Sequence, residues 1–340
     1  MMHFRVDANA AVGTGHLMRC LSVADALGRL GCASRFLLAD GGSAGLVASR
    51  GYDFLVLDSR SDDLETEIER LLAVLAETAA DSLLVDSYSV TETYLAALKR
   101  QVRLLYLDDL AAFRYPVDVL VNYNSYAENL GYAETYAGTG TELLLGCGYA
   151  PLREEFRDLP ARATPDAVRR VYVSTGGSDP LDLAARLAAR LAASGPPDLE
   201  LHLAVGRLSP ARERLEALAR ELPSVRLHVD LQRVSDVMGR CDAAVSAGGS
   251  TLYELFACGV PTVGYVLADN QKAGMADLAA KGLVLHAGDV REPGDAVGRI
   301  DTRLRALAAD PALRASMAAG SRALVDGRGA ERLARRILPG

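Results

Sequence analysis

The sequence predicts an α/β protein made of two Rossmann-like domains with parallel sheets. Three observations carry this expectation. Apolar runs of strand length alternate with longer amphipathic stretches, the alternation halts once and restarts, and 340 residues of which 50% are hydrophobic suffice for two cores of about 150 residues each. In the first half, strands are expected around Phe4–Val6 and at 35–38, 54–57, 83–85, 104–107 and 119–121, with helices at 64–79 and 91–99. The stretch 154–170 carries Pro160, Pro165 and many charges without a sustained apolar face, so it reads as the connection. Beyond it, strands are expected at 171–174, 199–205, 225–229, 243–246 and 261–266, with helices at 181–193 and 212–221. The tail 300–337 has helical spacing and reads as packing helices. The expected domains are therefore 1–155 and 165–340, the tail helices belonging to the second.

Composition narrows the function. A net charge of −7 argues against a broad basic surface for nucleic acid or anionic membrane, so any phosphate must be gripped locally. Cys20, Cys32, Cys147, Cys241 and Cys258 are odd in number and widely spaced, which suggests free thiols in a reducing cytoplasm, with neither a disulfide framework nor a metal site. No apolar run approaches membrane-spanning length, and no long apolar region precedes the first strand; export and an integral membrane segment are not expected.

The stretch most suggestive of chemistry is Val6-Asp7-Ala8-Asn9-Ala10-Ala11-Val12-Gly13-Thr14-Gly15-His16, a short strand running through a glycine-rich turn to a histidine. Leu17, Leu21, Ala24 and Leu27 follow at helical spacing, placing His16 near a helix N-terminus. The helix dipole there favours a neutral imidazole, which can accept a proton as a general base; a plain helix-capping histidine is the alternative. Two further turns follow strands in the second half. One is Ser174-Thr175-Gly176-Gly177-Ser178-Asp179-Pro180, the other Ser246-Ala247-Gly248-Gly249-Ser250-Thr251-Leu252-Tyr253-Glu254. Glycine lets backbone approach a ligand, and helix-start N–H groups hold a diphosphate without lysine, though each turn alone is also an ordinary strand-to-helix connection. Neither matches the dinucleotide or Walker-type phosphate loops, so hydride transfer and ATP hydrolysis lose support.

Glu254 lies one helical turn beyond Ser250, where a carboxylate suits the two hydroxyls of a ribose, or else is a solvated charge. Asp269-Asn270-Gln271 offers compact polar groups for a sugar or phosphate, or a helix cap. Asp7, Arg19, Asp86, Asp108, Asp109, Asn122 and Asn124 fall at strand ends or loop starts, as sugar contacts or as turn formers. Arg19, one turn after His16, is placed to reach a ligand or to pair with an acid such as Asp7. His3, His202, His228 and His286 lack ligand-like spacing and read as structural or surface residues.

Together these pieces carry a resemblance. The runs Gly13-Thr14-Gly15-His16-Leu17-Met18-Arg19-Cys20-Leu21, Leu107-Asp108-Asp109, Leu120-Val121-Asn122-Tyr123-Asn124, Leu145 through Phe156, Gly176-Gly177-Ser178-Asp179 and Gly248 through Asn270 stand in one order. In them the chain resembles the UDP-2,4-diacetamido-2,4,6-trideoxy-β-L-altropyranose hydrolases of pseudaminic acid biosynthesis and the related spore-coat polysaccharide proteins. That group is similar in fold to the GT-B enzymes, including the UDP-N-acetylglucosamine transferases of peptidoglycan synthesis, which implies a cleft between two facing domains. The resemblance implies that His16 activates water and Tyr88 orients that water or the histidine. Gly13, Gly15, Arg19 and Asn124 would contact substrate on the first domain. Gly177, Ser178, Gly248, Gly249, Ser250, Thr251, Glu254, Asn270 and Gln271 would grip UDP and sugar on the second. It implies an inverting hydrolase needing no cofactor and no metal, with a UDP-sugar as substrate. The hydrolases carry Asp-His-Tyr where this chain has Asp86-Ser87-Tyr88, and the tail beyond about residue 283 is longer than they need, so two other readings stand beside hydrolysis. These are a UDP-sugar-dependent glycosyltransferase and a nucleotide-sugar-binding protein without catalysis.

Overall fold

The computed structural model describes residues 1–8, 14–175, 179, 181–205, 211–229, 231 and 233–338. Seven strands form the first sheet: β1 (Met2–Val6), β2 (Ser34–Leu38), β3 (Asp53–Val56), β4 (Ser82–Asp86), β5 (Arg103–Leu107), β6 (Val119–Asn122) and β7 (Glu142–Leu145). Six form the second: β8 (Arg170–Ser174), β9 (Glu200–Val205), β10 (Val225–Val229), β11 (Ala243–Ala247), β12 (Thr262–Val266) and β13 (Val284–Asp289). Every pairing is parallel, in the orders β3-β2-β1-β4-β5-β6-β7 and β10-β9-β8-β11-β12-β13. Each sheet thus grows outward in both directions from its first strand, the doubly wound Rossmann arrangement, and strand order reverses between β1 and β4 and between β8 and β11. Helices cover both faces of such a sheet, so its central strands are buried on both sides, even where β1 carries His3 and Arg5. β1, β4, β11 and β12 are buried at every position.

The chain divides into two compact units, Met1–Glu154 with Arg328–Gly340, and Glu155–Gly327. The first is filled by side chains such as Leu37, Leu83, Tyr94, Leu104, Tyr106 and Leu120. The second is filled by Val171, Leu187, Leu201, Val245, Val263 and Ile300. The final helix, Gly329–Ile337, corrects the expected second domain of 165–340, because it packs in the first unit against the helix Gly15–Arg29. Its face of Ala330, Leu333, Ala334 and Ile337 is buried, Arg103 donates to the carbonyl of Ile337 at 2.8 Å, and Arg332 to that of Gly148 at 2.8 Å. Helical periodicity announces an apolar face but not its partner, which is why sequence proximity to the second sheet misleads here.

That docking leaves no room at one residue. A Cβ on Gly329 would lie 2.1 Å from the carbonyl oxygen and 2.6 Å from the amide nitrogen of Ala150, backbone atoms that cannot swing aside. Gly329→Ala is expected to cost about 3 kcal/mol in urea unfolding. Gly28, inside the helix Gly15–Arg29 with nothing within 4 Å of a built Cβ, should instead gain about 0.5–1 kcal/mol as alanine.

His3 on β1 is fully buried beside Thr78, whose Oγ1 lies 3.2 Å from Nε2, while Nδ1 has no partner among the described residues. Burial first, then the charges of Arg35 and the N-terminus, push its pKa from 6.5 down to about 4. The unfolded chain therefore takes up a proton between these values that the folded chain refuses. Stability falls as pH drops through this window, by about 2–3 kcal/mol from this residue. His3→Gln should flatten that part of the pH dependence in chemical unfolding at pH 7 and pH 5.

Candidate functional site

The strand order decides which loop ends meet. The residues after β1 and the last residues of β4 sit side by side at the carboxyl edge, flanking the point where the order reverses, the usual ligand position in such sheets. The helix Gly15–Arg29 begins there, and His16 is its second residue. Val6 pairs with Asp86, and His16 Nδ1 lies 2.5 Å from Asp86 Oδ1. Asp86, expected as a sugar contact or a turn former, turns its carboxylate onto the histidine.

Asp86 is fully buried and surrounded by donors. Arg19 donates through Nε to Oδ2 at 2.6 Å and through Nη2 to Oδ1 at 2.5 Å, and the Cys20 thiol lies 3.6 Å from Oδ2. Burial alone would push this carboxyl up, but Arg19 and His16 more than reverse it and hold it well below the usual carboxylate range. An ionised carboxylate can only accept. Arg19 Nη2 also lies 3.2 Å from Nδ1, but Asp86 Oδ1 approaches it more closely at 2.5 Å, so the proton of a neutral His16 belongs on Nδ1 and Nε2 keeps its lone pair, the tautomer a general base requires. The His16 side chain is 8% exposed, a narrower opening than an address at a turn suggests.

Arg19 does not pair with Asp7. Its guanidinium goes to Asp86, to Asp109 at 2.9 Å and to the Tyr123 hydroxyl at 2.8 Å, so at least four of its five N–H groups are committed inside the unit. These bonds leave at most one N–H for the substrate contact expected of it. Asp7 pairs with Arg5 at 2.5 Å, and Arg5 also grips Glu67. Alternation along β1 explains this: Arg5 and Asp7 point to the face opposite Val6, away from Arg19. Tyr88 is 42% exposed, meets the His16 ring edge-on at 4.5 Å and 82°, and donates its hydroxyl to Asp109 at 3.0 Å. Asn124 donates to the other Asp109 oxygen at 3.2 Å and to Asn122 at 2.9 Å. Asp108 and Asn122 take the turn-forming alternative. Asp108 accepts from the Leu110 and Ala111 amides and from Tyr115 and Tyr132, and Asn122 accepts from the Asn124 amide. Gly15 opens the helix, whereas Gly13 lies outside the described residues.

In the second unit the two glycine turns differ. Gly177 and Ser178 lie outside the described residues, but Asp179 accepts from the Leu183 and Ala184 amides at 2.8 and 3.0 Å. A carboxylate of the protein thus already satisfies the start of the helix Leu183–Ser194. The helix Ser250–Cys258, which follows β11, has Gly249 at its N-cap with no side-chain cap. Ser250 is exposed, Thr251 and Glu254 are half-buried, and nothing lies within 4 Å of a Cβ built on Gly249. Gly248 is constrained, since its Cβ would approach Met275 Cε at 3.1 Å and Gln271 Cβ at 3.2 Å. Gln271 Oε1 accepts from the Leu267 amide at 2.8 Å, which shapes the turn that presents exposed Asn270. The start of Ser250–Cys258 thus carries no protein carboxylate of the kind Asp179 places at the start of Leu183–Ser194. No group of three or more His, Cys, Asp or Glu among the described residues gathers as a metal site, and no helix among them is long and apolar enough to cross a membrane.

No family model matches the chain. Over 165 residues it is 31% identical to the spore coat polysaccharide biosynthesis protein SpsG of Bacillus subtilis, a match spanning 47% of this chain and 47% of that one, about half of each. Among solved structures it is similar to MurG of Acinetobacter baumannii, with a TM-score of 0.68 at 16% identity over 99% and 98% of the two chains. It is also similar to the UDP-GlcNAc 2-epimerase of Neisseria meningitidis, determined bound to UDP-GlcNAc, with a TM-score of 0.67 at 14% identity over 99% of each chain. These likenesses show the fold. It is two Rossmann-like α/β domains of the kind glycosyltransferases and such epimerases share.

Proposed function

We propose that the protein is a UDP-sugar-dependent glycosyltransferase of polysaccharide synthesis in which His16 is the general base. The observation that carries this reading is the ionised, donor-surrounded Asp86 that fixes the His16 proton on Nδ1. Nε2 takes the proton of an acceptor hydroxyl as its oxygen attacks the anomeric carbon from the face opposite the diphosphate. The bond from that carbon to the diphosphate oxygen breaks, its electron pair stays on UDP, and the configuration inverts. Gly249, Ser250 and Thr251 at the helix start stabilise the charge growing on the leaving diphosphate, with Glu254 on the ribose and Asn270 near the sugar. The polysaccharide role named for SpsG, the glycosyltransferases among the similar folds and UDP-GlcNAc in the epimerase structure support this choice of chemistry and nucleotide.

Hydrolysis is the second reading, with water in place of the acceptor. The resemblance of residues 13–21 and 145–156 to the pseudaminic acid hydrolases favours it, and Ser87 in place of their histidine weighs against it. The deciding experiment incubates the protein with a panel of UDP-sugars, with and without sugar and lipid-linked acceptors, and follows UDP, free sugar and glycosylated acceptor by chromatography and mass spectrometry. Transfer predicts UDP release that depends on acceptor; acceptor-independent release of free sugar would establish hydrolysis, and binding without turnover would leave a binding protein.

The nucleotide grip has its own test. Ser250→Asp places a carboxylate where the diphosphate would sit, and the same carboxylate suits a helix start. UDP affinity measured by calorimetry should fall at least tenfold, while stability rises by about 0.3–1 kcal/mol.

A further inference from the structure

We propose that Asp109 is the positioning residue of the first-unit site: it holds Tyr88 against the His16 ring and supplies the negative charge that lets the site accept a proton. This rests on the reading of His16 as a base. Three side chains named as site residues converge on this one carboxylate. Asp109 Oδ2 accepts from Arg19 at 2.9 Å and from the Tyr88 hydroxyl at 3.0 Å, and Oδ1 accepts from Asn124 at 3.2 Å. The Tyr88 hydroxyl is thus a donor to Asp109, and the part of Tyr88 that meets His16 is the ring, edge-on at 4.5 Å.

Charge balance gives Asp109 its second role. The groups around His16 are Asp86 from β4, Arg19 and Cys20 from its own helix, Tyr88 after β4, Asp109 after β5 and Tyr123 after β6. Arg19 offsets one of the two carboxylates, so with His16 neutral the group carries one net negative charge. Proton uptake brings it to zero. Without Asp109 the same step would build a net positive charge in a mostly buried site, which is unfavourable.

Asp109→Asn keeps the shape and removes the charge, while Tyr88→Phe keeps the charge and removes one bond to it. Asp109→Asn should lower kcat about ten- to a hundredfold with KM for the UDP-sugar little changed, and move the acidic limb of the kcat profile about half a unit to one unit lower in pH. Tyr88→Phe should lower kcat without moving that limb, and Asp109→Glu should restore part of the rate. In ligand-free protein, the pH titration of the His16 ring proton resonance should move in the same direction in Asp109→Asn. That readout needs no substrate, so it judges Asp109 even where no UDP-sugar is turned over and the transferase reading fails. An unmoved titration midpoint in a folded Asp109→Asn protein, or a wild-type kcat and pH profile, would overturn the proposal. If Asp109→Asn does not fold, Asp109→Glu and Tyr88→Phe are read in the same titration; both keep the charge, so both midpoints should stay at the wild-type value, and a midpoint lowered in either by about half a unit or more overturns the charge role.

Discussion

His16→Gln is expected to lower kcat about a thousandfold and to leave UDP binding intact. The magnitude follows from what a positioned base contributes, roughly two to four orders of magnitude. Glutamine approximates the reach of the imidazole from Cβ to Nε2, and the buried carboxylate keeps its two donors from Arg19. What disappears is the basic lone pair at Nε2. Single-turnover release of UDP measures the loss, and calorimetric titration with UDP checks that the nucleotide grip, which lies in residues of the other unit, is untouched. Equal losses in binding and turnover would mean that His16 acts as structure only.

Asp86→Asn should be as damaging by a different route. An amide in place of the carboxylate presents an N–H₂ to a shell made of donors: the His16 ring, Arg19 Nε and Nη2, and the Cys20 thiol. One amide proton can be accommodated only if His16 gives up its Nδ1 proton and carries it on Nε2. That is the wrong tautomer for a base, and loss of the orienting carboxylate in a comparable histidine–aspartate pair costs about ten-thousandfold. The buried Arg19 loses one of its two counter-charges as well, so a destabilisation of about 3 kcal/mol should accompany the loss of rate. Chemical unfolding separates the two effects. A variant that unfolds less readily than this yet turns over normally would remove Asp86 from the chemistry.

Much of the fold is legible because buried parallel strands write themselves as apolar runs. The segments 83–85 and 243–246 lie inside β4 and β11, and the helix expected at 212–221 is Arg212–Glu221. β7 escapes notice because Glu142–Leu145 is four residues at the sheet edge, and β13 because His286, Gly288 and Asp289 interrupt its apolar pattern. In the site, a glycine-rich turn running into a histidine is a local signal, and it places His16 at the start of the helix Gly15–Arg29. Asp86 as its partner is not local: the two meet only because the order of strands puts β4 beside β1. Assuming that order from the outset would have paired the residues after β1 with the end of β4. Arg19 shows the converse, since proximity in sequence suggests Asp7 and the alternation of β1 turns Asp7 to the other face.

The central claim is that Asp86 holds the His16 proton on Nδ1 and leaves Nε2 free. A proton–nitrogen correlation spectrum of the histidine side chains at neutral pH, assigned by the peaks lost in His16→Gln, tests it without knowledge of the substrate. The expected spectrum shows a protonated Nδ1, with its proton shifted far downfield by the bond to Asp86, and an unprotonated Nε2. A His16 with its proton on Nε2 would contradict it.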